Sequence, residues 1–333
     1  MKPILAITMG DINGVGPEII AKAFADTSLY EHAIPLVLGC PKAYEVARQE
    51  TQMGLEPVLI DSVEEAASIQ GGLAFLRNEV IVPDRTPGIL SAEAGRCAMQ
   101  WLDIAIELAT SQRVAGIVTG PIHKEGIHLA GYTVRGHTDY IAEATNSPDY
   151  RMCLFTQNTR LVHISDHVSL RESLDYVTVD RIVDSIRIGY EALQRVDSTG
   201  RDIAVAGLNP HAGEAGAFGR EEIDIIAPAV EQCQAEGIPC SGPYSPDTVF
   251  KRALDGEFAM VIAMYHDQGH IPLKLAAMDE GVNVTLGIPI VRTSVDHGTA
   301  YDIAGKNLAR EHSLCAAFTM AAQLAQHPRS SHA

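Results

Sequence analysis

Three histidine segments in the second half of the chain have the residue types and settings of a metal centre. HISDHVSLRES carries Asp166-His167, NPHAGE carries His211 and MYHDQGH carries His266. Each histidine closely follows an apolar run and is flanked by Gly, Pro or Asp. Such places are where a strand runs out into a loop, and there α/β proteins keep their ligands. Three imidazoles converging from separate strand ends would bind a divalent cation and leave positions open for substrate. Convergence is the condition, because any one of them alone reads as a surface or hydrogen-bonded histidine. A ligating imidazole needs an acceptor on its other ring nitrogen, and Asp166, Glu214 and Asp267 are the sequence neighbours that could serve. Three imidazoles suit zinc, with manganese, cobalt and magnesium as alternatives. The chain has no H-E-x-x-H, which argues against a zincin peptidase. Ser165-Asp166-His167 is no catalytic triad, because neighbours on an extended segment point to opposite faces and no G-x-S-x-G elbow is present.

A second group is basic or amide-bearing. Lys274 follows MYHDQGH, Asn283 sits in GVNVTLGIP and Arg292 in VRTSVDHGT. Lys offers a point charge, Arg a bidentate fork and Asn an amide donor, a combination that suits a phosphate monoester. Each by itself is equally well an ordinary surface residue. In GHTDYIAE, His137 or Thr138 could cap a helix, and a helix N-terminus also attracts anions. MGDINGVGPEI places Gly10, Gly14 and Gly16 between a strand and a helix, but without the G-x-G-x-x-G spacing it is a weak dinucleotide signature. It reads either as a Gly-rich approach to a ligand or as a structural turn.

These residues need strands to carry them. Apolar runs at 3–8, 34–40, 115–120, 202–208, 258–264 and 282–288 read as strands. Helical patterns are expected at 17–26, 41–52 (with Gly54 as a stop), 91–112 (Ser91 as cap), 123–147, 178–196 and 220–236. YRMCLFTQ and RLVHISD flank Asn158-Thr159 as an inserted hairpin. Strands separated by helices imply a mostly parallel sheet with both faces covered. The tail beyond 328 is expected to fray.

Composition limits the function. The chain has 333 residues, 46% of them apolar, and a net charge of 25 − 42 = −17. That length suits two domains or one large α/β unit. No Lys/Arg cluster exists, so a nucleic-acid surface is excluded. No apolar stretch approaches the ~18 residues of a membrane span, and MKPILAITMGD lacks the pattern of a secretory signal. The six cysteines form no C-x-x-C pair, and Cys40, Cys97 and Cys153 lie in apolar stretches. Buried thiols in the cytoplasm are the expectation.

The motifs TMGDINGVGPEI, TGPIHKEGIHLAG, GHTDYIAE, LNPHAGE, GPYSPDTVF, MYHDQGHIPLKL and VRTSVDHGTAYDIAG together resemble the 4-hydroxythreonine-4-phosphate dehydrogenase (PdxA) family. The resemblance covers essentially the whole chain in order. It implies a two-domain α/β/α fold similar to that of isocitrate and isopropylmalate dehydrogenases, with a mostly parallel sheet and a hairpin insertion. The corresponding domains would be 1–130 with 290–333, and 131–289 with the metal ligands and dimer contacts. It implies a homodimer with the site in a cleft that includes the partner chain, and NAD or NADP use without a G-x-G-x-x-G loop. Carried over motif by motif, the metal ligands fall on His167, His211 and His266. The substrate contacts fall on His137, Thr138, Lys274, Asn283 and Arg292, and Asp247 falls near the nicotinamide. Lys274 and Asp247 are the candidates for a general base.

The family resemblance includes two branches. NSPDYRMCLFTQNTRLVHIS and His270-Ile271-Pro272 look more like the D-threonate or D-erythronate 4-phosphate dehydrogenases of sugar-acid catabolism than like the pyridoxal phosphate branch. The expected reaction is oxidation and decarboxylation of a 4-phosphorylated 3-hydroxy acid. D-Threonate 4-phosphate would give dihydroxyacetone phosphate, and 4-hydroxy-L-threonine 4-phosphate would give 3-amino-2-oxopropyl phosphate. A metal-dependent hydrolase, a non-catalytic phosphate-metabolite sensor and an acyl-phosphate transferase of similar fold are the rival readings.

Overall fold

The computed structural model describes residues 2–156, 159–197, 199–277 and 281–326. Contacts divide the chain into two units, Met1–Asp149 with Ile288–Gln326, and Tyr150–Gly287. Strands β1 (Ile4–Thr8), β2 (Ile34–Leu38), β3 (Glu56–Ile60), β4 (Gly72–Leu76) and β5 (Gly116–Thr119) form in the first unit. The second unit contributes β6 (Arg151–Phe155), β7 (Arg160–His163), β8 (Ile203–Ala206), β9 (Cys240–Tyr244), β10 (Met260–Ala263) and β11 (Val282–Leu286). The chain then returns to the first unit for β12 (Arg292–Ser294).

In the first unit the strands run β3-β4-β2-β1-β5-β12, with every pair parallel. Parallel strands need crossovers and bury both faces, so they read as continuous apolar runs. Leu5, Ala6, Ile7, Leu36, Val37 and Leu38 are all fully buried. Helices Ala92–Thr110 and His312–Gln326 pack against β1 and β5. Ser91 caps the first of these, its hydroxyl accepting the Ala94 N–H at 3.3 Å. The helix Pro41–Thr51 ends on Gln52 in the left-handed region, two residues before the expected Gly54 stop. Gly10 has φ +71, and a Cβ there would meet Pro121 O at 2.2 Å. The Gly-rich segment after β1 is thus a turn pressed onto backbone.

In the second unit the order is β11-β6-β7-β10-β8-β9. β6 is antiparallel to both β11 and β7, whereas β7, β10, β8 and β9 are mutually parallel. The hairpin insertion is therefore the β6–β7 pair, and its expected turn residue Asn158 lies outside the described residues. The tail beyond 328 lies outside them too. Helix Val179–Val196 forms where the pattern puts it, with Thr178 as its cap.

Several elements differ from expectation. The single helix at 123–147 is two, Lys124–Leu129 and His137–Ala144, broken where Gly131 takes φ +96. The helix at 220–236 opens with a wide π turn, Glu222–Ile226, before Ala227–Ala235. MYHDQGH is the start of a helix, His266–Ala277, rather than a strand end and loop. Strands β3, β4, β9 and β12 and the helix His312–Gln326 had no counterpart in the sequence reading. Cys97, Cys153, Cys233 and Cys240 are buried free thiols, and Cys40 and Cys315 are half-buried free thiols. No helix among the described residues is long and apolar enough to cross a membrane.

Candidate active site

In the first unit the site residues gather around Arg292. Its register partner on β5 is Ile117, so Thr119, two residues on, lies on the same face. The buried Arg292 guanidinium donates to Thr119 Oγ1 at 2.9 Å and to Thr138 Oγ1 at 3.2 Å. Thr138 is not the helix cap. The helix begins at His137 after Gly136, and the Thr138 hydroxyl is an acceptor for Arg292. His137 is half-buried as a residue, but its Nε2 is sealed from solvent without a hydrogen-bond partner. Burial, and then the Arg292 cation, push its pKa down to about 3, so it is neutral at pH 7. Burial likewise lowers Arg292, to about 10, and leaves it charged. A fixed guanidinium fork, a hydroxyl and a neutral imidazole at the start of a helix form an anion cradle.

In the second unit His266, His270 and Lys274 recur every four residues on one helix, which places them along one face. His266 Nδ1 lies 2.7 Å from Asp267 Oδ1. A carboxylate can only accept there, so Nδ1 carries the proton and Nε2 keeps a lone pair for a cation. His167 and His266 line one cleft of about 240 Å³ together with Asp166, Tyr265 and Asp267. Their ring centroids are 5.4 Å apart. Two imidazoles bound to one cation at ~2.0–2.1 Å with a tetrahedral angle have centroids roughly 5 Å apart, close to the separation of this pair. Asp166 spends Oδ1 on the His167 backbone N–H at 2.6 Å.

Among the described residues, His211 does not complete a three-ligand set. Its Nδ1 is 3.8 Å from Asp247 Oδ2, and its ring is 6.4 Å from that of Phe218. Among the described residues no group of three or more His, Cys, Asp or Glu is placed to hold a metal ion. Two of the three histidines singled out by the sequence are thus neighbours, His167 and His266, while His211 has Asp247 rather than Glu214 beside it. Asn283 stands on β11 opposite Leu154 of β6.

Three residues of these clusters escaped the sequence reading as site members. Thr119 ends an apolar strand and looks structural. His163 is fully buried on β7, with Nδ1 3.0 Å from Met152 O and Nε2 3.0 Å from His270 Nδ1. His270 stacks on His266 at 4.0 Å and 11°. Burial first, and then the neighbouring histidines, hold His163 at about 4 and His270 at about 2. The four-residue spacing of His266, His270 and Lys274 was the signal available for His270.

The family model described as "Pyridoxal phosphate biosynthetic protein PdxA" matches residues 28–321. The chain belongs to the PdxA family. A D-threonate 4-phosphate dehydrogenase of Pectobacterium atrosepticum is 43% identical over 98% of this chain and 100% of its own length. The crystal structure of a 4-hydroxythreonine-4-phosphate dehydrogenase from Klebsiella pneumoniae superposes with a TM-score of 0.87 at 41% identity, covering 98% of this chain and 99% of that one. A β-decarboxylating dehydrogenase from Thermococcus kodakarensis shares the fold alone, with a TM-score of 0.50 at 12% identity over 94% of this chain and 80% of that one. The α/β fold implied by the resemblance, with its likeness to the fold of a β-decarboxylating dehydrogenase, is borne out. So is membership of a dehydrogenase family.

Proposed function

We propose that this PdxA-family chain oxidises D-threonate 4-phosphate, or D-erythronate 4-phosphate, at C3 and releases CO₂ and dihydroxyacetone phosphate. The observation that carries the reading is the buried Arg292 fork beside neutral His137 and Thr138, an arrangement suited to a phosphate monoester. Arg292 and Thr138 would fix two phosphate oxygens, with the neutral His137 ring beside them. Lys274 and Asn283 are further substrate contacts in this reading.

Oxidising the C3 hydroxyl gives a carbonyl β to the carboxylate, and that carbonyl accepts the electron pair left as CO₂ departs. A bound nicotinamide, of NAD or NADP, supplies hydride acceptance, and a bound divalent cation, zinc by preference over manganese, cobalt or magnesium, supplies polarisation of the C3 oxygen. His167 and His266 would hold that cation, with His211 as the third ligand in the homodimer that the family resemblance implies. Asp267 keeps the His266 lone pair on Nε2. Asp247, beside His211, and Lys274 are the candidates for moving the C3 hydroxyl proton. The cytoplasm is the proposed compartment.

The Klebsiella relative is named for the other activity, so 4-hydroxy-L-threonine 4-phosphate is the second reading. The test is to incubate protein, zinc and NAD or NADP with D-threonate 4-phosphate. The reading expects growth of reduced-nicotinamide absorbance with stoichiometric dihydroxyacetone phosphate. Inorganic phosphate without absorbance growth would point to a hydrolase, binding without turnover to a sensor, and a coenzyme A requirement to an acyl-phosphate transferase.

A further inference from the structure

The segment after β8 holds its backbone in an unusual state. His211, Ala212, Gly213, Glu214 and Ala215 all have positive φ, at 53°, 53°, 78°, 43° and 54°, which is about one turn of left-handed helix. Only glycine occupies that region freely, and four of the five residues are not glycine. Such a run persists only where its surroundings over-determine it. The surroundings converge on one buried carboxylate. Glu222 Oε1 accepts the N–H groups of Leu208 at 2.8 Å and Asn209 at 2.7 Å, and Oε2 accepts Asn209 Nδ2 at 2.9 Å. Glu222 is 3% exposed. Gly213 closes over it, for a Cβ there would lie 2.7 Å from Oε2. Burial alone would raise the Glu222 pKa, but the Asn209 side chain and the backbone donors outweigh it and hold the carboxyl below its usual range.

We infer that Glu222 is a positioning residue for His211: it clamps the entry of the left-handed turn, with Gly213 packed close over it, and so fixes where that imidazole points. The clamp is mounted on the wide turn Glu222–Ile226, whose Ile226 is fully buried. The same entry is tied to the His266 helix, because Gln268 Nε2 donates to Gly207 O at 2.7 Å while Gln268 Oε1 accepts the Met264 N–H at 2.7 Å. Glu222 is not among the residues that line the cleft of His167 and His266. Its effect on the reaction runs through His211, and the inference rests on the assignment of His211 as a cation ligand made above.

The experiment compares full-length wild type, His211→Ala, Glu222→Ala and Glu222→Gln. It measures zinc affinity by competition with a chromogenic chelator, the melting temperature, and kcat and KM for D-threonate 4-phosphate. His211→Ala should lose zinc. Glu222→Ala should bind zinc about 10- to 100-fold more weakly, the range typical of groups that orient ligands. KM for the phosphorylated acid should stay unchanged and kcat should recover as zinc is raised. Glu222→Gln keeps one oxygen for the Leu208 and Asn209 N–H groups, so its zinc affinity should lie between wild type and Glu222→Ala. If Glu222→Ala does not fold, weakened zinc binding by a normally melting Glu222→Gln supports the clamp. Wild-type zinc affinity in the Glu222 variants, with zinc lost from His211→Ala, overturns the clamp and leaves the ligand assignment standing. Zinc retained by His211→Ala overturns both.

Discussion

His163 Nε2 lies 3.0 Å from His270 Nδ1, and this contact fixes which nitrogens of both rings carry protons. His163 Nδ1 faces the Met152 carbonyl, which can only accept, so Nδ1 is the N–H and the neutral ring has its lone pair on Nε2. His270 must then donate from Nδ1, which leaves its own lone pair on Nε2. A ring stacked at 4.0 Å and 11° on His266 cannot share an in-plane cation with it, so His270 is a neighbour of the proposed ligand pair and not a member. His270→Ala and His163→Ala should each lower kcat on the order of 10- to 100-fold, as loss of ring-orienting partners does. KM for the phosphorylated acid should change little. Steady-state kinetics at saturating zinc check this, and an unchanged kcat would remove the pair from the site.

Arg292→Ala should act on the other half of the substrate. Hydrogen bonds to charged groups contribute about 1.5–3 kcal/mol, so KM should rise on the order of 10- to 100-fold with a smaller change in kcat. Arg292→Lys should rescue little, because an ammonium cannot reach Thr119, Thr138 and a phosphate as a planar fork does. Unchanged KM in Arg292→Ala would take the phosphate away from this cradle.

The metal-free protein should lose stability in acid through His137. An unfolded histidine binds its proton near pH 6.5, whereas the folded one waits until about 3. Between those values the unfolded chain holds one more proton, so stability falls as pH falls, by about 1.4 kcal/mol per pH unit for that group. Urea unfolding of wild type and His137→Asn between pH 4 and 6.5 checks it. The variant should show a slope smaller by one proton, and equal slopes would mean that His137 is not held neutral.

The motifs were more legible than the elements around them. PILAIT, IPLVLGC and AGIVTG each carry one long apolar signal and fold as strands close to where the pattern puts them. MYHDQGH did not read as a helix, because Gly269 and Pro272 are loop residues by propensity and the preceding strand is strongly apolar. The helix forms nonetheless, with its first turn held by Gln268 and its inner face by His270 on His163. Tertiary context overrides local preference there. β12 is only Arg-Thr-Ser, too short and polar to announce itself, yet it carries Arg292. The left-handed turn at 211–215 was invisible because four of its five residues are not glycine and have no local preference for that backbone. Asp247 beside His211 is a meeting of residues far apart in sequence, which no local pattern encodes.

Whether the substrate is a 4-phosphorylated sugar acid is decided by a panel of kcat/KM values. D-Threonate 4-phosphate, D-erythronate 4-phosphate and 4-hydroxy-L-threonine 4-phosphate are each followed by reduced-nicotinamide absorbance with NAD and with NADP in the presence of zinc. A site built to bind a substrate hydroxyl rejects an analogue that lacks it by large factors, so the preference should be decisive. The expected result is that threonate or erythronate 4-phosphate leads, with dihydroxyacetone phosphate as product. A lead for 4-hydroxy-L-threonine 4-phosphate, or no nicotinamide reduction with any of the three, would contradict the account.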